Sequence, residues 1–218
     1  SSFTSMALAG YSLGYLDRPG KFRDAVQGLV RIVGPLVYQV SDIAESLSKE
    51  SFGRAFFIAS PPCMGGALEA HLKVQELSGG AIMTSAVDCL GFRHGFMAAV
   101  DGSSLVVMCL SGDPRRRLYE MDLLRELRAK KLGKRTVVVA DAATDELRAL
   151  ADAVIECGRE DSVTDEHRAV IVAVIGQVLG LFFSIGLGLR PDSPSPSGII
   201  NRVVRGVAIH DGAPPEGS

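Results

Sequence analysis

The segment "GALEAHLKVQEL" (66–77) places Glu69, Lys73 and Glu76 at positions i, i+4 and i+7. On a helix that turns about 100° per residue, these three form one narrow charged stripe. Two carboxylates with an ammonium between them can run proton-transfer chemistry. The bland alternative is a surface ladder, in which Glu four residues ahead of Lys contributes ~0.2–0.5 kcal/mol. Leu68 and Leu72 flank the stripe on one side, and Ala70, Val74 and Leu77 on the other, so it is narrower than most solvated faces.

A second candidate lies in "LGFRHGFMAAV" (90–100), where Arg93 and His94 stand between two glycines in an otherwise apolar stretch. A buried charge is costly unless it is paired or used. Either this is a turn whose polar groups meet water, with Arg93 paired to Asp88, or it is the lip of a site. Taken alone, each motif leaves both readings open.

The elements that must position these residues follow a rhythm. Helices are expected over 3–15 and 21–48, broken at "DRPG". Short apolar strands are expected at 55–60, 81–87, 104–110, 135–140 and 153–157. Between them lie helical patterns at 66–77, from about Arg116 to Lys130, and near "TDELRAL", with a long apolar helix last. Continuously apolar strands alternating with helices predict a parallel sheet covered on both faces, a three-layer α/β/α sandwich. The expected division is helices over 1–50, the α/β domain over 51–190, and a tail over 191–218, extended at first and disordered at its end. Ligands of such sheets sit beyond the carboxyl ends of the strands, here near Ser60, Val87, Ser111 and Ala140. His94 follows the second of these.

Composition narrows the function classes. With 47 % apolar residues, 22 % charged residues and a formal net charge of -2, nothing draws the chain to nucleic acid or anionic lipid. Arg115, Arg116 and Arg117 lead into a helix of alternating charges, which reads as a solvated face. The four cysteines are far apart and lack CxxC spacing, so a reducing, cytoplasmic setting with no metal and no cofactor is expected. Residues 169–189 run without a charge and carry Gly176 and Gly180 at GxxxG spacing, long enough to span a bilayer. Gln177 in the middle and the missing aromatic belt favour a buried helix over a membrane span.

Four stretches together carry a family resemblance: "ALEAHLKVQELSGG", "GFRHG", "SGDPRRRLYEMDLLREL" and "LGLRPDSPSPSGIINRVVRGV". They resemble the C-terminal half of the tagatose-6-phosphate ketose/aldose isomerase family, which includes galactosamine-6-phosphate deaminase/isomerases and belongs to the sugar isomerase (SIS) domain superfamily. The likeness runs from about Ser1 to His210. It implies one module of a double-SIS enzyme acting on a hexose or hexosamine 6-phosphate, with residues 1–50 a helical remnant of the preceding module plus a linking helix, and the site between modules and often shared across a homodimer. Carried over by position, Glu76 matches the general base, Lys73 a lysine that stabilises developing negative charge, and Glu69 a carboxylate beside them. His94 matches a histidine that assists ring opening, donated in related enzymes by the neighbouring subunit. Ser60, Arg93 and Arg205 are the expected substrate contacts, Arg205 falling about where a related synthase has a tail lysine.

Three departures temper what the resemblance implies. The family's phosphate-binding loop would lie upstream of Ser1, so half of the sugar site is expected to be absent. Pro61 and Pro62 replace a flexible glycine turn after the first strand. Phe96 stands where the family has proline. A non-catalytic module, binding sugar phosphate for regulation or serving as a dimerisation scaffold, is the alternative.

Overall fold

The computed structural model describes residues 2–193 together with Gly198, Gly206 and Ala208. Arg205 and most of the expected extended tail lie outside the described residues. The elements run in the order α1 (Ser2–Leu13), α2 (Pro19–Ser48), β1 (Arg54–Ala59), α3 (Met64–Leu77), β2 (Met83–Val87), β3 (Ser104–Cys109), α4 (Pro114–Ala129), β4 (Arg135–Ala140), α5 (Asp145–Leu150), β5 (Ala153–Glu156) and α6 (Asp165–Gly186). Two 3₁₀ turns, Gly91–His94 and Phe96–Ala99, join β2 to β3.

The strands form one parallel sheet in the order β2-β1-β3-β4-β5. Alternate residues serve opposite faces. Phe57, Val107 and Val139 pack under α2, α3 and α6. Phe56, Ile58, Val106, Met108 and Val138 pack under α4, α5 and the first 3₁₀ turn, through Leu123, Leu124, Leu147 and Phe92. Both faces of the middle strands are therefore dry, which is why their sequences are unbroken apolar runs. The expected three-layer sandwich is what forms. In it α2 is a structural layer of the domain, burying Leu29, Leu36, Val40 and Leu47 in the same core as α3.

Each edge of the sheet is finished by a glutamine. On β2 the outward N–H of Thr84 donates to Gln75 Oε1 at 3.1 Å, and on β5 that of Glu156 donates to Gln39 Oε1 at 3.1 Å. Side-chain amides from α3 and α2 thus cover donors that an open edge would present to other chains.

The apolar run expected at 169–189 is α6, which passes the length and hydropathy test for a membrane span. In this fold 61 % of its most apolar window is buried, chiefly against α3 and α2. Its GxxxG glycines serve that packing. A Cβ built on Gly176 would lie 2.3 Å from Ala70 Cα, and one on Gly180 would lie 3.0 Å from the Lys73 carbonyl oxygen. Small residues let the two helix backbones approach closely.

The start of α6 is secured by a histidine. Thr164 and His167 form a reciprocal capping box, with the Thr164 N–H donating to His167 Nδ1 at 3.2 Å. Nδ1 must therefore be unprotonated, leaving Nε2 to face the Tyr15 hydroxyl at 3.3 Å. Tyr11 packs edge-on against the same ring, so the histidine also seats α1. Burial lowers the His167 pKa below its usual range. The unfolded chain therefore binds a proton that the folded chain refuses, and the stability present above the unfolded value of about 6.5 is lost as pH falls through the folded one. His71 is lowered by burial too and adds the same sign. Melting temperature should fall between pH 7.5 and pH 5, and His167→Asn, whose amide oxygen still caps the helix, should flatten that slope in part. An unchanged slope would remove His167 from the account.

Candidate functional site

The tight α3–α6 contact sets where the charged stripe points. With Gly66, Ala70 and Val74 of α3 buried, Glu69, Lys73 and Glu76 lie along the rim of that contact. All three are half-buried: side-chain exposures are 14 % for Glu69, 31 % for Lys73 and 33 % for Glu76. Lys73 Nζ donates to Glu76 Oε2 at 2.8 Å and lies 4.0 Å from Glu69 Oε1. A solvated ladder would be more exposed. Instead the ammonium bridges two carboxylates on a partly dry surface, flanked by Leu68 and Leu72, each about half exposed. Chemically, a carboxylate so placed can accept a proton while the neighbouring ammonium balances a developing oxyanion.

The other expected site residues are distributed differently. Arg93 is paired with Glu126 of α4, Nε to Oε2 at 2.7 Å, and not with Asp88. Asp88 instead accepts from the Gly91 N–H at 2.8 Å and starts the 3₁₀ turn. His94 closes that turn and is exposed, and its side chain makes no hydrogen bond or ion pair among the described residues. Phe92 anchors the turn in the core under α4, whereas α3 belongs to the core on the opposite face of the sheet. Glu76 and His94 therefore stand on opposite sides of one sheet. Ser60, at the end of β1, spends its hydroxyl on Glu120 Oε1 at 2.6 Å.

Sequence reasoning missed Glu120. It sits on α4 with 1 % exposure, accepting from Ser60 and from the Ser111 N–H at 2.7 Å. Burial raises its pKa, opposed by those hydrogen bonds. The signal was present, because Glu120, Leu123, Leu124 and Leu127 follow the i, i+3, i+4, i+7 pattern of a buried face. A carboxylate in such a row is a buried acid, not part of a solvated face.

No protein-family model matches the chain. Among curated relatives, it is 38 % identical over 213 residues to a Streptomyces coelicolor protein provisionally named D-galactosamine-6-phosphate deaminase AgaS, covering 96 % of this chain and 54 % of the relative. It is 36 % identical over 157 residues to D-galactosamine-6-phosphate deaminase AgaS of Escherichia coli, covering 72 % of this chain and 40 % of that protein. Among solved structures, the tagatose-6-phosphate ketose/aldose isomerase of Escherichia coli superposes with a TM-score of 0.71 at 28 % identity, over 90 % of this chain and 48 % of that one. This chain spans about half the length of the relatives it matches. It has the sugar isomerase domain fold and, over that half, is similar to D-galactosamine-6-phosphate deaminases AgaS and to tagatose-6-phosphate ketose/aldose isomerases.

Proposed function

We propose that this chain supplies the proton-transfer half of an isomerase or deaminase acting on a hexose or hexosamine 6-phosphate. The observation that carries this reading is the Lys73 ammonium held between two half-buried carboxylates on the rim of α3. With galactosamine 6-phosphate, Glu76 takes the proton from C2 of the open-chain sugar and returns it to C1. Lys73 balances the charge on the enediol(amine) oxygen. The imine left at C2 is hydrolysed by water to the ketone, tagatose 6-phosphate, and ammonia. A 2-hydroxy sugar follows the same proton path and stops at isomerisation. Neither route calls on a metal or an organic cofactor.

His94 opens the sugar ring from a second copy of the chain. Its lack of partners, its exposure and its place on the far side of the sheet from Glu76 favour a homodimer in which each copy completes the other's site. Arg93 stiffens the turn through Glu126 and borders the sugar. The phosphate is held by the half of the relatives that this chain does not span. A cytoplasmic enzyme is part of this reading, and the four cysteines are free, buried thiols, as suits a reducing compartment.

The test is turnover of galactosamine 6-phosphate, followed through ammonia and tagatose 6-phosphate, by this chain and by a chain extended to the length of its relatives. Activity in the extended chain alone supports the reading. Folded but inert protein in both cases favours a non-catalytic module. Sharing of the site has its own test. Extended E76Q and H94A chains, each inactive alone, should regain about a quarter of wild-type activity when mixed, because half the dimers then hold one intact site. No recovery after subunit exchange would place His94 and Glu76 in the same copy or remove His94 from the site.

A further inference from the structure

The strand ends hold a second cluster, and none of Glu69, Lys73, Glu76, Arg93 and His94 lines it. The chain leaves β1 for β2 on one side and returns to β3 on the other. Open parallel sheets bind ligands in the crevice at such a reversal. Here the chain's own carboxylates fill it. Glu120 takes the Ser60 hydroxyl and the Ser111 N–H. Asp165, in the first turn of α6 with its side chain 9 % exposed, accepts from the Ser111 hydroxyl and from the Gly112 N–H at 2.8 Å. Arg116 Nη1 and Arg168 Nε each lie 3.6 Å from the same carboxylate.

A hydroxyl, a backbone N–H beside the start of α4 and two guanidiniums make the donor set that proteins offer to phosphates and carboxylates. A cavity of about 390 Å³ adjoins it, bordered by Gly112, Arg116 and Arg168. Asp165 takes up that donor set, and six carboxylates line the cavity against three guanidiniums, so while Asp165 holds the donors no further anion has a place there. Most of the others are already engaged. Asp141 holds Arg168 and Arg117, Glu160 holds Arg31, and Asp113 caps α4.

We propose that this cradle is an oxyanion site held closed by the protein itself: Asp165 stands where a ligand's phosphoryl or carboxylate group would sit, and its removal opens the site to a small tetrahedral oxyanion. The consequence for the intact chain is that the strand-end crevice is spent on pinning α6 to the loop after β3. A sugar phosphate must find its anion contacts elsewhere. This inference does not depend on the proposed activity.

The experiment compares wild type, D165A and D165A/R116A in thermal unfolding and calorimetric titration with inorganic phosphate, against chloride at matched ionic strength. Wild type should respond alike to both salts. D165A should melt roughly 10 °C lower, because the arginines lose their partner, and phosphate should restore about half of that loss. D165A/R116A should regain much less. If D165A fails to fold, its refolding yield in phosphate and in chloride gives the same reading. Asp165→Asn, which keeps the acceptor and so keeps the site filled, should fold and ignore phosphate. Equal behaviour of D165A in the two salts, or the same phosphate shift in wild type, would overturn the proposal.

Discussion

Replacing Glu76 by glutamine in the extended chain should lower turnover of galactosamine 6-phosphate by roughly 1,000-fold, within the range that one positioned proton-transfer group supplies. The substitution is nearly isosteric. The amide oxygen can still accept from Lys73, so the local geometry survives, and a half-buried i,i+3 pair of this kind contributes little to stability. Melting temperature should therefore stay within about 2 °C of wild type. What is lost is the only form of that side chain able to take a proton. The effect should fall on kcat with little change in KM, because a group used in the transition state and not in ground-state binding behaves that way. Glu69→Gln is the informative comparison. Glu69 is the drier carboxylate and lies farther from the ammonium, at 4.0 Å against 2.8 Å. A smaller loss, about 10-fold, is expected if it only steadies Lys73. Should E69Q be the inert variant and E76Q retain a tenth or more of the activity, the base has been assigned to the wrong carboxylate.

A large stability effect is expected at Gly176→Ala. A methyl group there would meet Ala70 Cα at 2.3 Å and Ala70 Cβ at 2.4 Å. Neither atom belongs to a flexible side chain that could swing away, so α3 and α6 must separate. Forcing a well-packed contact apart costs about 3 kcal/mol, or roughly 6–12 °C in melting temperature for a domain of this size. Gly66→Ala, which would press on the Ala169 backbone at 2.2 Å, should act similarly. Gly65→Ala is the control: nothing lies within 4 Å of its position, and alanine is the better helix former. Thermal unfolding of the three variants separates close packing from mere loss of glycine. A Gly176→Ala protein as stable as Gly65→Ala would mean that the helices are farther apart than described here. Because Lys73 lies one turn beyond Ala70, the destabilised variant should also lose activity out of proportion to its unfolded fraction.

Much of this fold is legible along the chain. "AFFIAS", "SLVVMCL" and "RTVVVA" announce β1, β3 and β4 because both faces of those strands are buried, and no polar residue interrupts them. The Glu69–Lys73–Glu76 stripe is legible because helical spacing is short-range arithmetic. Depth is not. Nothing in the periodicity says that the stripe borders α6, or that Arg93 reaches Glu126 from across two elements and leaves Asp88 to a turn. The long apolar run was ambiguous for a related reason: periodicity reports how apolar a helix is, not whether lipid or another helix covers it. The strand-end carboxylates escaped notice because Asp165 reads locally as an ordinary acidic start to a helix. Its burial is decided by Ser111 and Arg116, some fifty residues earlier in the chain.

The two glutamines at the sheet edges have a consequence for how such a domain works beside others. With Thr84 and Glu156 already bonded to side-chain amides, the sheet cannot be lengthened by a neighbour's strand without first displacing them. Joints to other bodies are left to helix faces and side chains, which slide and rock, and not to a ladder of backbone bonds, which holds a fixed register. The five strands, paired among the described residues only with one another, keep their own register whatever packs against the helices.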